Sequence, residues 1–149
     1  MLKDKLAEDL KCAMKAGDAE RVSTLRMLSA ALQNRAIEKR GTGQGAGLSD
    51  EDVLAVLEKE AKKRREAAEL YRKGGRNDLA EHELREVSLI AVYLPVQASD
   101  EEIQEVLARL IREGAGDFAS LMKGAMRELK GKADGARVGA LAKKALESR

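Results

Sequence analysis

Apolar residues recur at helical spacing from one end of this chain to the other, and no stretch alternates convincingly at the period of a strand. Ile103, Val106, Leu107, Leu110 and Ile111 stand at i, i+3, i+4, i+7 and i+8, and Val138, Leu141, Ala142, Ala145 and Leu146 repeat that spacing. Each such run gives a helix one apolar stripe, which must be buried against neighbouring helices. The fold expected is all-α.

The segments follow in order. Leu2, Leu6, Leu10, Ala13 and Met14 mark a first helix closed near Gly17. A second, over about 19–40, carries Leu25, Leu28, Leu32 and Ala36 on one side. A third begins after Ser49 and runs to about Lys73, and Gly74-Gly75 then turn the chain. The fourth carries Leu79, Val87, Ile90 and Leu94, and Pro95, the only proline, is expected to end it. Ser99 and Glu102 have the spacing of a capping box, opening three shorter helices. The organisation expected is an N-terminal four-helix subdomain over 1–94, a hinge over 95–98 and a C-terminal three-helix bundle over 99–149.

Charge and composition remove several function classes. The 149 residues carry a net charge of only +2, but residues 117–149 hold eight Lys/Arg against four Asp/Glu. Only Tyr71, Tyr93 and Phe118 are aromatic, which argues against a base-stacking sheet. Cys12 has no partner for an internal disulfide, and no stretch approaches the roughly 20 apolar residues of a membrane span. A cytoplasmic protein with no membrane partner, no cofactor and no metal is expected, as a monomer.

The segment 117–130 separates into two faces at about 100° per residue. Phe118, Leu121, Met122, Ala125 and Leu129 share one arc, while Lys123, Arg127 and Lys130 lie opposite. Gly131 suits a left-handed helix stop and Asp134 a cap for the next helix. With Lys132 in the turn, this is a basic face suited to phosphate contact.

Tyr93-Leu94-Pro95, Ser99-Asp-Glu-Glu102, the paired Met122 and Met126, and Leu129 through Gly135 together resemble the YqeY-type proteins. Arg76, Asp78, Leu79, Glu83 and Glu86 fit the N-terminal pattern of that family. Its C-terminal part is shared with the tail of the B subunit of the bacterial glutamyl/aspartyl-tRNA amidotransferase. The resemblance implies an all-helical protein of two subdomains, with a tail that in the amidotransferase helps hold tRNA. Around the first methionine this family has Asp-x-Gly-Lys before and Gly after. Here Asp117-Phe118-Ala119-Ser120 and Lys123 occupy those positions, with glycine one step later at Gly124.

The function expected is therefore non-catalytic binding of tRNA, or of a tRNA-handling protein, through Lys123, Arg127, Lys130 and Lys132. The alternative is a protein-interaction adaptor whose surface includes Met126, Gly131 and Gly135. A part in a glutamine-dependent carbon–nitrogen ligase is a distant third, since no catalytic constellation is present. Glu83 and Glu86, beside His82, invite an acid/base or metal reading. Arg64 and Glu86, however, stand eleven residues either side of Gly75 and should meet as a structural ion pair. The glycine-rich run 41–47 follows a helix rather than a strand, so it reads as a connection and not a phosphate loop. Cys12 has no activating histidine nearby in sequence and reads as a structural thiol.

Overall fold

The structure, a computed structural model, describes residues 1–44 and 47–148. Among these residues the chain is all-α, with seven helices and no strand. They are α1 (Leu2–Ala16), α2 (Ala19–Gly41), α3 (Asp50–Lys73), α4 (Asn77–Ala91), α5 (Asp100–Arg112), α6 (Phe118–Leu129) and α7 (Gly135–Glu147). They form two compact units, Met1–Leu94 and Pro95–Arg149.

In the first unit, α1 packs on α2, and α3 packs along α4. Leu6, Leu25, Leu28, Leu32, Val53, Leu57, Ala61 and Ile90 are buried together. Each of the larger side chains contributes roughly 1.5–3 kcal/mol by leaving water. Gly17 ends α1 in the left-handed region at φ 70°, and the Asp18 carboxylate caps α2 by accepting from Arg21 N–H. The complete capping box lies at the start of α3, where Ser49 and Asp52 satisfy each other's backbone N–H groups. At the expected box of α5, Ser99 accepts from Glu102 N–H at 3.1 Å, which is one half of that motif.

The end of α4 differs from the sequence expectation. The helix stops at Ala91, four residues before Pro95, so Leu94 lies beyond it. Tyr93 and Leu94 N–H donate to Ile90 and Ala91 carbonyls, the tighter i→i−3 pattern of a closing helix. This turn brings Tyr93 into the core, where its hydroxyl donates to Asp9 at 2.5 Å. Burial, reinforced by that hydrogen bond, pushes the phenol up to about 12. Of the glycine-rich run, Gly41 closes α2 and Gly43 and Gly47 have positive φ, while Gly45 and Ala46 lie outside the described residues.

In the second unit, α5, α6 and α7 each pack on the other two. Ile103, Leu107, Leu121, Ala125, Val138 and Ala142 are fully buried between them. Gly124 sets the approach of α6 to α5. A Cβ at that position would stand 3.2 and 3.3 Å from the Leu110 methyls. The chain entering α5 is fastened to the α6–α7 turn, because Ala98 N–H donates to Lys132 O at 2.7 Å and Gln97 donates to Gly131 O at 3.2 Å. Arg137 adds two more ties, to Asp100 and to Ala98 O, each at 2.7 Å.

Candidate functional site

The basic face is built on α6 and the turn after it. Asp117 starts the helix by accepting from Ser120 N–H at 2.9 Å, and these hydrogen bonds from Ser120 hold its carboxyl below the ordinary range. Leu121, Ala125 and Leu129 are buried, whereas Lys123, Arg127 and Lys130 are exposed. Gly131, at φ 78°, turns the chain and presents Lys132 to solvent. Asp134 then accepts from Ala136 N–H to cap α7.

The ion pairs of this unit leave the face open. Arg109 takes Glu113 and Glu128, and Arg137 takes Asp100. Lys123, Arg127, Lys130 and Lys132 make no ion pair among the described residues. Glu128, the one acidic residue inside α6, is held by Arg109 of α5, on the side away from those cations. From Lys123 to Lys130 the helix rises about 10 Å, so the face is a compact convex cluster.

One residue differs from what its spacing suggests. Phe118, placed by its angle on the apolar arc, is 48% exposed. It is the first residue of α6 and so projects past the end of the buried stripe, where it lies against Gly139 of α7. Met126, considered a surface contact, is half-buried and packs in the α6–α7 seam, with its methyl 3.9 Å from where a Cβ on Gly135 would stand. Gly131 and Gly135 are likewise half-buried. Lys143, which sequence reasoning passed over, shares an open groove with Phe118. It belongs to the Val138–Leu146 helical pattern, but only the folded bundle brings it to Phe118.

In the first unit, Arg64 is 6% exposed and donates from Nε to Glu86 at 2.7 Å. It also donates to the carboxylate and carbonyl of Glu60, at 2.7 and 2.9 Å. Burial works against its charge, but the hydrogen bonds to Glu60 and Glu86 outweigh it and raise the guanidinium pKa. His82 lies 3.3 Å from the second Glu86 oxygen. Among the described residues, no three His, Cys, Asp or Glu side chains come together as a metal-holding set. Cys12 is exposed, and no described helix is long and apolar enough to cross a membrane.

A model of the family described as Yqey-like protein matches residues 3–146. The chain belongs to that family. Among curated proteins, this YqeY-like chain is 34% identical over 124 residues to Altered inheritance of mitochondria protein 41, mitochondrial, of Clavispora lusitaniae. That match covers 81% of the chain and 69% of the relative. It is 34% identical over 111 residues to the protein of the same name from Lachancea thermotolerans, covering 72% of the chain and 57% of the relative. An uncharacterized protein of Schizosaccharomyces pombe is 46% identical over 52 residues, covering 35% of the chain and 42% of the relative.

The names of these relatives correct the cytoplasmic expectation, since several are mitochondrial proteins. A lone cysteine, and described helices none of which is long and apolar enough to cross a membrane, say nothing of compartment.

Proposed function

We propose that the C-terminal unit binds tRNA without catalysing a reaction on it, through Lys123, Arg127, Lys130 and Lys132. The observation that carries this reading is that four exposed cations share one helix face and its turn, with no ion pair among the described residues to occupy them. Contacts of this kind neutralise phosphates, release counterions and read backbone shape rather than sequence. The resemblance to an amidotransferase tail supports tRNA as the RNA, and the mitochondrial names of the relatives make organellar tRNA the natural pool to test. The residues weighed for an adaptor surface, Met126, Gly131 and Gly135, offer no fully exposed apolar group.

Labelled tRNA titrated at several salt concentrations tests the proposal, with wild type and a Lys123/Arg127/Lys130/Lys132→Glu variant compared. Micromolar or tighter binding that weakens steeply with salt, and is lost in the folded variant, is the expected result. Equal indifference of both proteins to tRNA at low salt would overturn it.

A further inference from the structure

Helix α2 carries apolar residues on two opposite faces. Leu25, Leu28 and Leu32 are buried inside the first unit, while Met27 is 41% and Ile37 61% exposed. Ser23, Met27, Ala30, Asn34, Ile37 and Gly41 follow one another at alternating steps of four and three residues, and all six are exposed. That is the seam spacing of a helix paired with another helix along its length. Met27 is held from below, because Arg64 Nη2 donates to its sulfur at 3.3 Å. One projecting residue of the seam therefore rests on the buried Arg64–Glu86 pair.

Charge along the seam is one-sided. Arg26, Gln33 and Arg40 each precede a seam residue and form one margin, and all three are exposed. The ion pairs of α2 are made by Glu20, Arg21, Arg35, Glu38 and Lys39. Neither Arg26 nor Arg40 makes one among the described residues. On the other margin Ala31 is half-buried, and Glu38 already faces Arg35 at 3.5 Å. The charge left to meet a partner is positive.

We propose that the outer face of α2 docks an amphipathic helix of another protein, one with a bulky aliphatic stripe and carboxylates along one edge. The carboxylates meet Arg26 and Arg40. The aliphatic residues pack around Met27 and Ile37 and fill the space over Ser23, Ala30 and Gly41, where side chains are small. Asn34, between them, selects the register in which a polar residue satisfies its amide. A second copy of this chain fits less well. Antiparallel pairing brings like margins together and sets Arg26 beside Arg40 of the copy. Parallel pairing stacks Ala30 on Ala30 and Gly41 on Gly41, which leaves gaps. An RNA backbone would meet the arginines but give Met27 and Ile37 nothing apolar to pack on. The surface belongs to the first unit and is independent of the RNA reading of the second.

The test uses the full chain and a labelled synthetic helix of about three heptads, with Leu along its seam and Glu on its margins. A matched peptide carries Lys in place of every Glu, and both are used below the concentration at which they self-associate. Fluorescence anisotropy should show micromolar binding of the acidic peptide and binding about 10-fold weaker for the basic one. Arg26→Glu/Arg40→Glu, two exposed changes that leave the core untouched, should invert that preference. Ile37→Ser should weaken the acidic peptide by about 10-fold. Among the methionine methyl resonances, that of Met27 should move on binding while those of Met122 and Met126 stay still. The Lys123/Arg127/Lys130/Lys132→Glu variant should bind the acidic peptide as wild type does, so this proposal and the RNA reading fail separately. Binding of neither peptide, equal affinity for both, or a still Met27 methyl overturns the docking surface. A dimer in sedimentation that Ile37→Ser dissolves gives the seam to a second copy and overturns it too. So does tRNA binding that is lost in the Arg26/Arg40 variant while neither peptide binds, since the margin then serves RNA.

Discussion

Arg64 and Glu86 face each other across the α3–α4 pair at 2.7 Å, with Arg64 nearly sealed from solvent. Glu60, one turn earlier on α3, takes the other arm of the guanidinium. Removing one partner strands a buried charge, whereas removing both leaves an apolar gap that can be filled. Glu86→Leu should therefore destabilise the protein by about 2–4 kcal/mol in urea denaturation. The Arg64→Met/Glu86→Leu pair should lose less than the sum of the two single changes. Strict additivity would show that the two residues do not act as a unit.

Tyr93 gives a pH dependence with a definite sign. Its hydroxyl titrates near 10 in an unfolded chain and is pushed up to about 12 in the fold by burial and its bond to Asp9. A raised pKa contributes stability that is fully present below pH 10 and is lost as pH rises through 12. Tyr93→Phe should cost about 1 kcal/mol at neutral pH and abolish this alkaline component of the melting curve. An alkaline transition identical in wild type and variant would contradict the assignment.

At Gly124 two effects oppose each other. Alanine would improve helix propensity by up to about 1 kcal/mol, while its methyl would press on Leu110 Cδ1 and Cδ2 at 3.2 and 3.3 Å. Leu110 is only partly buried, so its methyls can give by a few tenths of an ångström. Gly124→Ala is expected to change stability by less than about 0.5 kcal/mol. Gly124→Val, with two more carbons to place, should destabilise by about 1–3 kcal/mol, as read from thermal or urea unfolding.

The basic face predicts a graded salt response. Each single change of Lys123, Arg127, Lys130 or Lys132 to Gln should lower the slope of log affinity against log salt by roughly 0.7–0.9. Lys59→Gln, on α3 of the other unit, should leave the slope unchanged. A slope that ignores all four residues would remove them from the interface.

The helices were legible because each apolar stripe repeats along one segment, and angle alone separates Leu121, Ala125 and Leu129 from Lys123, Arg127 and Lys130. Angle says nothing of position along the axis. Phe118 has the right angle for the core but stands at the first residue of α6, where no further layer covers it. Tyr93 was hidden for a related reason: Pro95 offered an obvious stop, while the real stop follows from a side chain turning inward to Asp9, 84 residues earlier. The Phe118–Lys143 groove joins two helices through packing, so no local pattern announces it.

The backbone ties at Gln97 and Ala98 have a practical consequence for anyone isolating the C-terminal bundle. A fragment beginning at Asp100 keeps every residue of all three helices yet releases the Lys130–Lys132 bend from its anchor and leaves Arg137 without its carbonyl partner. One beginning at Pro95 retains both fastenings. The two fragments should share nearly the same helix content but differ in amide-exchange protection at Lys132 and Ala133. Comparing their affinities for RNA would then test whether the proposed binding depends on holding that bend in shape before the ligand arrives.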